Sequence, residues 1–385
     1  MIVKLIVLIC SMFSFSLVGG PIYTILIGMF GVSLYYVRFL SNRDIALFLV
    51  SVTILIINFF YYEYIVYNPN TYIVVNTNQI LNNLAGKVII VFSIIVLYKF
   101  IRLESEILKK TLKFVLYTHL FFFYSQVVLF LLTNKYIDYS GIFLLESARF
   151  DTGVSGANFW SLPRFTGFFI EPSHYGILIC FLFMSLHFLG GDVNKYVKLM
   201  LFISALLTMS SATIFIASVC IIYLAYERYG LFFTIIWFFV ICILIGVVFF
   251  EKINEIYQYQ LYRLSFSSGI RGNLFDLIME REGSDFIFGS SLYSIESKIY
   301  FDSIFTESRS FASEKDAGTF VYMLIRFGVF GLIVYLLSLV YFLRKRIIVL
   351  IVFIFLSLSK VSIDEPIYWV LVFSTIYFSN KETST

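Results

Sequence analysis

The sequence predicts an all-α, polytopic integral membrane protein, and three features carry that prediction. Of its 385 residues 60% are hydrophobic and only 14% charged, where a soluble domain is about a quarter charged. Mean hydropathy is +0.91. Apolar runs of roughly 18 residues or more recur along the chain, each long enough to cross a bilayer.

Reading those runs as helices places spans near 2–18, 21–40, 44–62, 84–101, 114–133, 174–190, 196–210, 212–226, 231–250, 318–343, 347–360 and 366–379. That makes about twelve crossings in one transmembrane domain covering 1–385. The opening MIVKLIVLICSMFSFSLVGG has the composition of a signal peptide, with Lys4 as its basic end. A second apolar run follows at once after Gly19-Gly20-Pro21, so a turn between two uncleaved spans is the expectation. Only Ser210-Ser211 separates 196–210 from 212–226, and 347–360 is short.

Lys and Arg in short connections set orientation. With the N-terminus inside, the inner bridges hold Arg38 and Arg43, then Arg102, Lys109, Lys110 and Lys113, then Lys195 and Lys198, Arg228, and Arg344-Lys345-Arg346. The other side has Lys360 and Lys87. Both termini are then cytoplasmic, and two long hydrophilic segments, 134–173 and 251–317, lie outside. Connections beyond roughly 15 residues are usually functional or disordered. These two keep Phe159, Trp160, Tyr257, Tyr262, Phe286 and Tyr300, which predicts a folded external cap. A net charge of +4 is too small, and too scattered in short bridges, for a nucleic-acid face. Cys10, Cys180, Cys220 and Cys242 all lie in apolar runs without CxxC spacing, so they read as small buried hydrophobes. No metal or cofactor is implied.

One stretch breaks the apolar pattern: LPRFTGFFIEPSHYGILICFLFM, residues 162–184. Pro172 suits the first position of a helix. Ser173 and His174 then fall in its first turn, where free amides and the positive dipole end favour an anion. Arg164 lies just before, and guanidinium suits bidentate phosphate binding. Together they predict a diphosphate receptor at the outer boundary, with Glu171 able to accept a hydroxyl proton and His174 able to bind phosphate or sugar oxygen. Each residue also has a plainer role. Glu171 can satisfy the helix start, His174 can be an interfacial hydrogen-bonding residue, and Arg164 can pair with Glu171 or a lipid phosphate.

The second long segment adds cations. Leu274, Phe275, Ile278 and Met279 share one face at helical spacing, which predicts that 272–281 lies flat on the membrane. Arg271 stands at its start and Arg263 upstream; facing Arg164, they would neutralise a leaving group as its charge grows. Asp316 sits where the next span begins. Arg326 lies about ten residues in, roughly 15 Å along the axis, where an ionised side chain is a functional candidate unless it packs on a carboxylate or snorkels. Gly328 and Gly331 predict close helix packing.

RFTGFFIEPSHYG after a long outer loop resembles the Arg-x-x-Gly-x-x-x-Glu-Pro signature of bacterial O-antigen and capsular polysaccharide polymerases of the Wzy type. Ile270-Arg271-Gly272, FIFGSSL and DAGTFVYMLIRFGVFG are similar to that family's second loop and following span. The resemblance covers roughly residues 150–340. It implies an all-helical glycosyltransferase of the GT-C type in the bacterial cytoplasmic membrane, joining oligosaccharide units carried on undecaprenyl diphosphate at the outer face. The growing chain passes from its lipid to a new lipid-linked unit, and undecaprenyl diphosphate leaves. Arg164 and Arg271 match family arginines thought to bind the diphosphates, and Arg263, Arg326 and His174 are further substrate-binding candidates. The implied partners are the lipid-linked oligosaccharide as donor and acceptor, membrane lipid and a chain-length regulator, with no nucleic acid. No metal or cofactor is implied.

Related O-antigen ligases carry a histidine just before a span that ends in Gly-x-x-Gly, where this chain has Asp316-Ala317-Gly318. That departure favours polymerase over ligase and leaves Glu171 and Asp316, in that order, as candidate bases. A flippase or transporter of lipid-linked oligosaccharide is the third reading. It would place charges along a central cavity and keep short connections, whereas here Arg and Glu concentrate in two long outer segments.

Overall fold

Every regular element among the described residues is helical, as the apolar runs require. The computed structural model describes residues 37–61, 77–144, 163–248, 278–279, 281, 283–289, 318–344, 346–359, 361, 363 and 366–381. The expected spans 2–18 and most of 21–40 lie outside that set, as do Arg263, Arg271 and Asp316 and much of both long segments.

After a 3-10 turn at Val37–Phe39 come α1 (Asn42–Tyr61), α2 (Thr77–Leu103), α3 (Ser105–Thr133) and the short α4 (Tyr139–Leu144). Then follow α5 (Pro172–Phe188), α6 (Lys195–Leu207), α7 (Ser211–Val248), α8 (Gly283–Phe288), α9 (Thr319–Leu343), α10 (Ile347–Ser357) and α11 (Pro366–Lys381). Four helical stretches are long and apolar enough to cross a membrane: Leu84–Leu103, Ser105–Thr133, Ala212–Ile236 and Thr319–Leu343. Exposed apolar side chains such as Phe121, Leu132, Leu199, Phe232 and Leu337 cover the outside of the bundle. An aqueous surface does not tolerate so much contiguous apolar area. This is a helical membrane protein.

Two expected spans come out short. α6 has 13 residues and α10 has 11, about 20 Å and 17 Å of helix against a hydrocarbon core of about 30 Å. α6 stops at the Thr208-Met209-Ser210 corner, where Met209 takes φ 48°. α7 is two helices meeting at Gly230, whose φ 78° and ψ 169° are non-helical; the break falls between the expected 212–226 and 231–250. Arg346 starts α10, and its guanidinium stands 4.3 Å over the Phe378 ring of α11.

α5 is the central helix. Of its 17 residues only His174 and His187, one near each end, escape full burial; a helix apolar all round belongs inside a core. It packs most extensively on α11, α7 and α3. Cys180 on α5 and Cys220 on α7 are both buried, as their positions in apolar runs predict. Gly176 lets α7 close in, since a methyl there would overlap Thr213. Gly176→Ala is therefore expected to lower stability by about 1–3 kcal/mol through overpacking. The check is the thermal midpoint in detergent.

Contacts fix which helix ends lie together. Lys99 near the end of α2 pairs with Asp44 at the start of α1 at 2.7 Å. His187 at the end of α5 meets Glu227 before the α7 break at 2.6 Å, and Phe188 rests on Phe378. The bridges holding Arg102, Lys195, Lys198, Arg228, Arg344 and Arg346 thus gather at one end of the bundle. The opposite end receives the starts of α5, α7 and α9 and the ends of α3, α6 and α10. It is the end that carries the singled-out stretch.

Candidate functional site

Residues 163–171 do not lie loosely on the surface; they fold inward against the second half of α3. Phe165, Thr166 and Phe169 are buried. Gln126 of α3, itself fully buried, organises them. Its side-chain carbonyl accepts the backbone N–H of Thr166 (3.1 Å) and of Gly167 (3.0 Å), and its amide donates to the carbonyl of Ile137 (2.6 Å). The Tyr136 hydroxyl meets that of Thr166 at 2.9 Å. Gly167 takes φ 59° with the Tyr175 ring beneath it, a conformation that disfavours a side chain. Tyr175 stacks on Phe123, ring centroids 4.4 Å apart, and donates to Ser204 of α6 at 3.0 Å. Buried polar groups in an apolar interior need such partners, and here they hold the turn rigidly.

Three helix termini converge on that turn. Pro172 is the first residue of α5 after Glu171 as N-cap. The Glu171 side chain makes no cap hydrogen bond, so its effect on the helix start is electrostatic. Its carboxylate instead accepts the Ser173 hydroxyl at 3.3 Å and lies 3.9 Å from His174 Nε2, both side chains being about four-fifths shielded. The start of α7 is tied in through Thr213, whose hydroxyl donates to the Ser173 carbonyl at 3.3 Å. The end of α6 arrives from the other side, and Arg164 Nε donates to its Thr208 carbonyl at 3.3 Å. A guanidinium at a helix C-terminus meets the negative dipole end favourably. This contact engages one of its five donors. The result is a cation, a carboxylate and an imidazole on one braced turn between two helix N-termini.

A second cluster sits in the same half of the bundle on other elements. Lys87 of α2 donates to the Tyr322 hydroxyl at 2.7 Å. Arg326 lies 5.7 Å over the same ring, and Tyr322 is buried. Arg326 is the eighth residue of α9, nearer the helix start than the sequence suggested, and its guanidinium packs on an aromatic face. Arg281 donates to the Ile325 carbonyl at 2.8 Å. The flat helix expected over 272–281 lies mostly outside the described residues; Ile278 and Met279 are helical, the first buried and the second exposed.

No protein-family model matches this chain, and no curated protein matches it. Among the described residues no three His, Cys, Asp or Glu side chains are grouped to hold a metal ion.

The sequence reading brought Arg164, Glu171 and His174 to one turn, and they are there. It missed Gln126, Lys87, Tyr322 and Arg281. It also missed His119 of α3, buried between Phe168 and Phe169 with neither ring nitrogen hydrogen-bonded among the described residues. The only available signal was polarity: Gln126 and His119 each interrupt an apolar run, seven residues apart on one face of α3.

Proposed function

We propose that this chain is a Wzy-type polymerase, joining undecaprenyl-diphosphate-linked oligosaccharide units into O-antigen or capsular polysaccharide at the outer face of the bacterial cytoplasmic membrane. The observation that carries the reading is the braced turn. A segment resembling the family signature folds into one turn that carries all three residues at the mouth of an apolar bundle, Glu171 and His174 side by side and Arg164 on the end of α6. A lipid-borne diphosphate would reach such a mouth from the leaflet while its sugars stay in water.

In this reading an acceptor hydroxyl attacks the anomeric carbon of the donor glycan. The bond from that carbon to the diphosphate oxygen breaks, and its electron pair leaves with undecaprenyl diphosphate. The hydroxyl proton passes to Glu171, with Asp316 as the second candidate base. Arg164 and the positive dipole end of α5 neutralise the growing charge on the leaving group, and His174 holds a phosphate or sugar oxygen. Arg263, Arg271 and Arg326 supply further positive charge to the two lipid diphosphates. The reading includes about twelve spans, a GT-C-like architecture with an external cap, and cytoplasmic termini beside the basic helix ends.

Deleting the gene is expected to leave surface lipid carrying single repeat units where the parent shows a ladder on a gel. Finished polymer accumulating on undecaprenyl diphosphate would identify a ligase in its place, and units trapped inside a flippase. Either result would overturn the proposal.

A further inference from the structure

α9 is broken where the second long segment touches it. Gly328 has φ 63° and ψ −169° in the middle of an otherwise helical run. A side chain there would overlap the carbonyl of Ile287 in α8, and one at Gly289 would overlap the backbone of Arg326, Phe327 and Gly328. The two glycines thus bring backbone against backbone. Gly328 and Gly331 were expected to allow close helix packing; at Gly328 the partner is the six-residue α8 and the turn after it. Phe288 and Phe330 close the edge of this contact, ring centroids 5.9 Å apart.

The break has a polar consequence. In an unbroken helix the Ile325 carbonyl accepts the N–H of Val329, four residues on. The non-helical angles at Gly328 divert the chain between them. Backbone carbonyls in an apolar interior need donors, and Arg281 Nη1 donates to that of Ile325 at 2.8 Å. Its guanidinium, from the same stretch as α8, is fastened one residue before Arg326.

We propose that Arg281 is a positioning residue: with Gly289 and Gly328 it clamps the second outer segment into the α9 break and thereby sets where the Arg326 guanidinium stands for a lipid diphosphate. This role for Arg326 rests on the polymerase reading; the clamp itself does not. Arg281 touches the α9 backbone. Its effect on transfer passes through Arg326, which the Tyr322 ring steadies from the other side.

The test joins two readouts on the full-length chain in membranes. Cysteines at Phe288→Cys and Phe330→Cys, treated with a short thiol crosslinker, report docking of α8. The crosslink is expected in the otherwise unchanged chain and with Arg281→Lys, which keeps a charged donor, and is expected to fade with Arg281→Ala. A crosslink undiminished by Arg281→Ala at equal membrane abundance overturns the clamp, whatever the chain catalyses. For the second readout, a deletion strain is complemented with each variant and polymer formation is followed with time. Arg281→Ala and Arg326→Ala should each slow it at least tenfold, and the double variant no further, because coupled residues are non-additive. Arg281→Lys should retain most of the rate. Multiplicative losses would show that Arg281 acts independently of Arg326. Failure of the polymerase reading would appear separately, as a deletion strain whose ladder is unchanged, with the crosslink still deciding the clamp.

Discussion

Replacing Arg164 with alanine is expected to abolish the polysaccharide ladder while the protein stays in the membrane at normal abundance. Removing one preorganised cationic or hydrogen-bond donor from a transition-state site slows reactions by on the order of 10²–10³-fold, enough to erase long chains. The rival role is visible in the structure, since Arg164 Nε caps the Thr208 carbonyl at the end of α6. A cap is worth at most about 1–2 kcal/mol. If capping were its whole purpose, Arg164→Ala would lower the thermal midpoint and leave a ladder in proportion to the folded protein remaining. Arg164→Lys separates the roles further. An ammonium still satisfies a carbonyl, but it lacks the planar fork that grips two phosphate oxygens. Near-normal stability with a lost ladder in Arg164→Lys is the expected pattern. A ladder of normal length from Arg164→Ala would remove this arginine from the site.

The parts of this architecture that were legible in the sequence are those governed by local rules. Pro172 marked the start of α5 because a residue without an N–H fits only the first turn. Helix ends joined by basic bridges gather together, where Lys99, His187 and Arg346 make their contacts. Gly230, where a long apolar stretch divides, lay between two expected helices. Elements set by tertiary contact were not legible. Gly328 looked like an ordinary small packing residue, and only the approach of α8 from some forty residues earlier makes it a break. Lys87 looked like a topology signal, yet it ends on the hydroxyl of Tyr322, 235 residues away in sequence. Length alone overstated α6 and α10, because apolar composition says where a chain is buried in lipid or protein without saying which. The candidate site divides in the same way. Its chemical residues announced themselves as charges beside an apolar run, whereas the residue that shapes the turn did not.

That shaping residue gives the second large effect. Gln126→Leu keeps the size of the side chain and removes its hydrogen bonds to Thr166, Gly167 and Ile137. The N–H groups of Thr166 and Gly167 and the carbonyl of Ile137 would then lose these partners, in a place where Gln126 and Thr166 are fully buried. Each such loss destabilises by about 1–3 kcal/mol, so about 3 kcal/mol or more is expected, a large part of the roughly 5–15 kcal/mol that holds a typical domain together. A lowered thermal midpoint in detergent is the first measurement. The second is the ladder, which should vanish even at a temperature where the variant remains folded, because Arg164 and Glu171 are carried on the turn that Gln126 ties down. Gln126→Glu sharpens the argument. It retains an acceptor for the two N–H groups but sets a carboxylate oxygen against the Ile137 carbonyl, so it should fall between the leucine variant and the parent in both measurements. A Gln126→Leu protein that melts and polymerises like the parent would mean that the turn is held by its aromatic packing on Phe123 and Tyr175 alone, and that its polar bracing has no part in presenting the arginine.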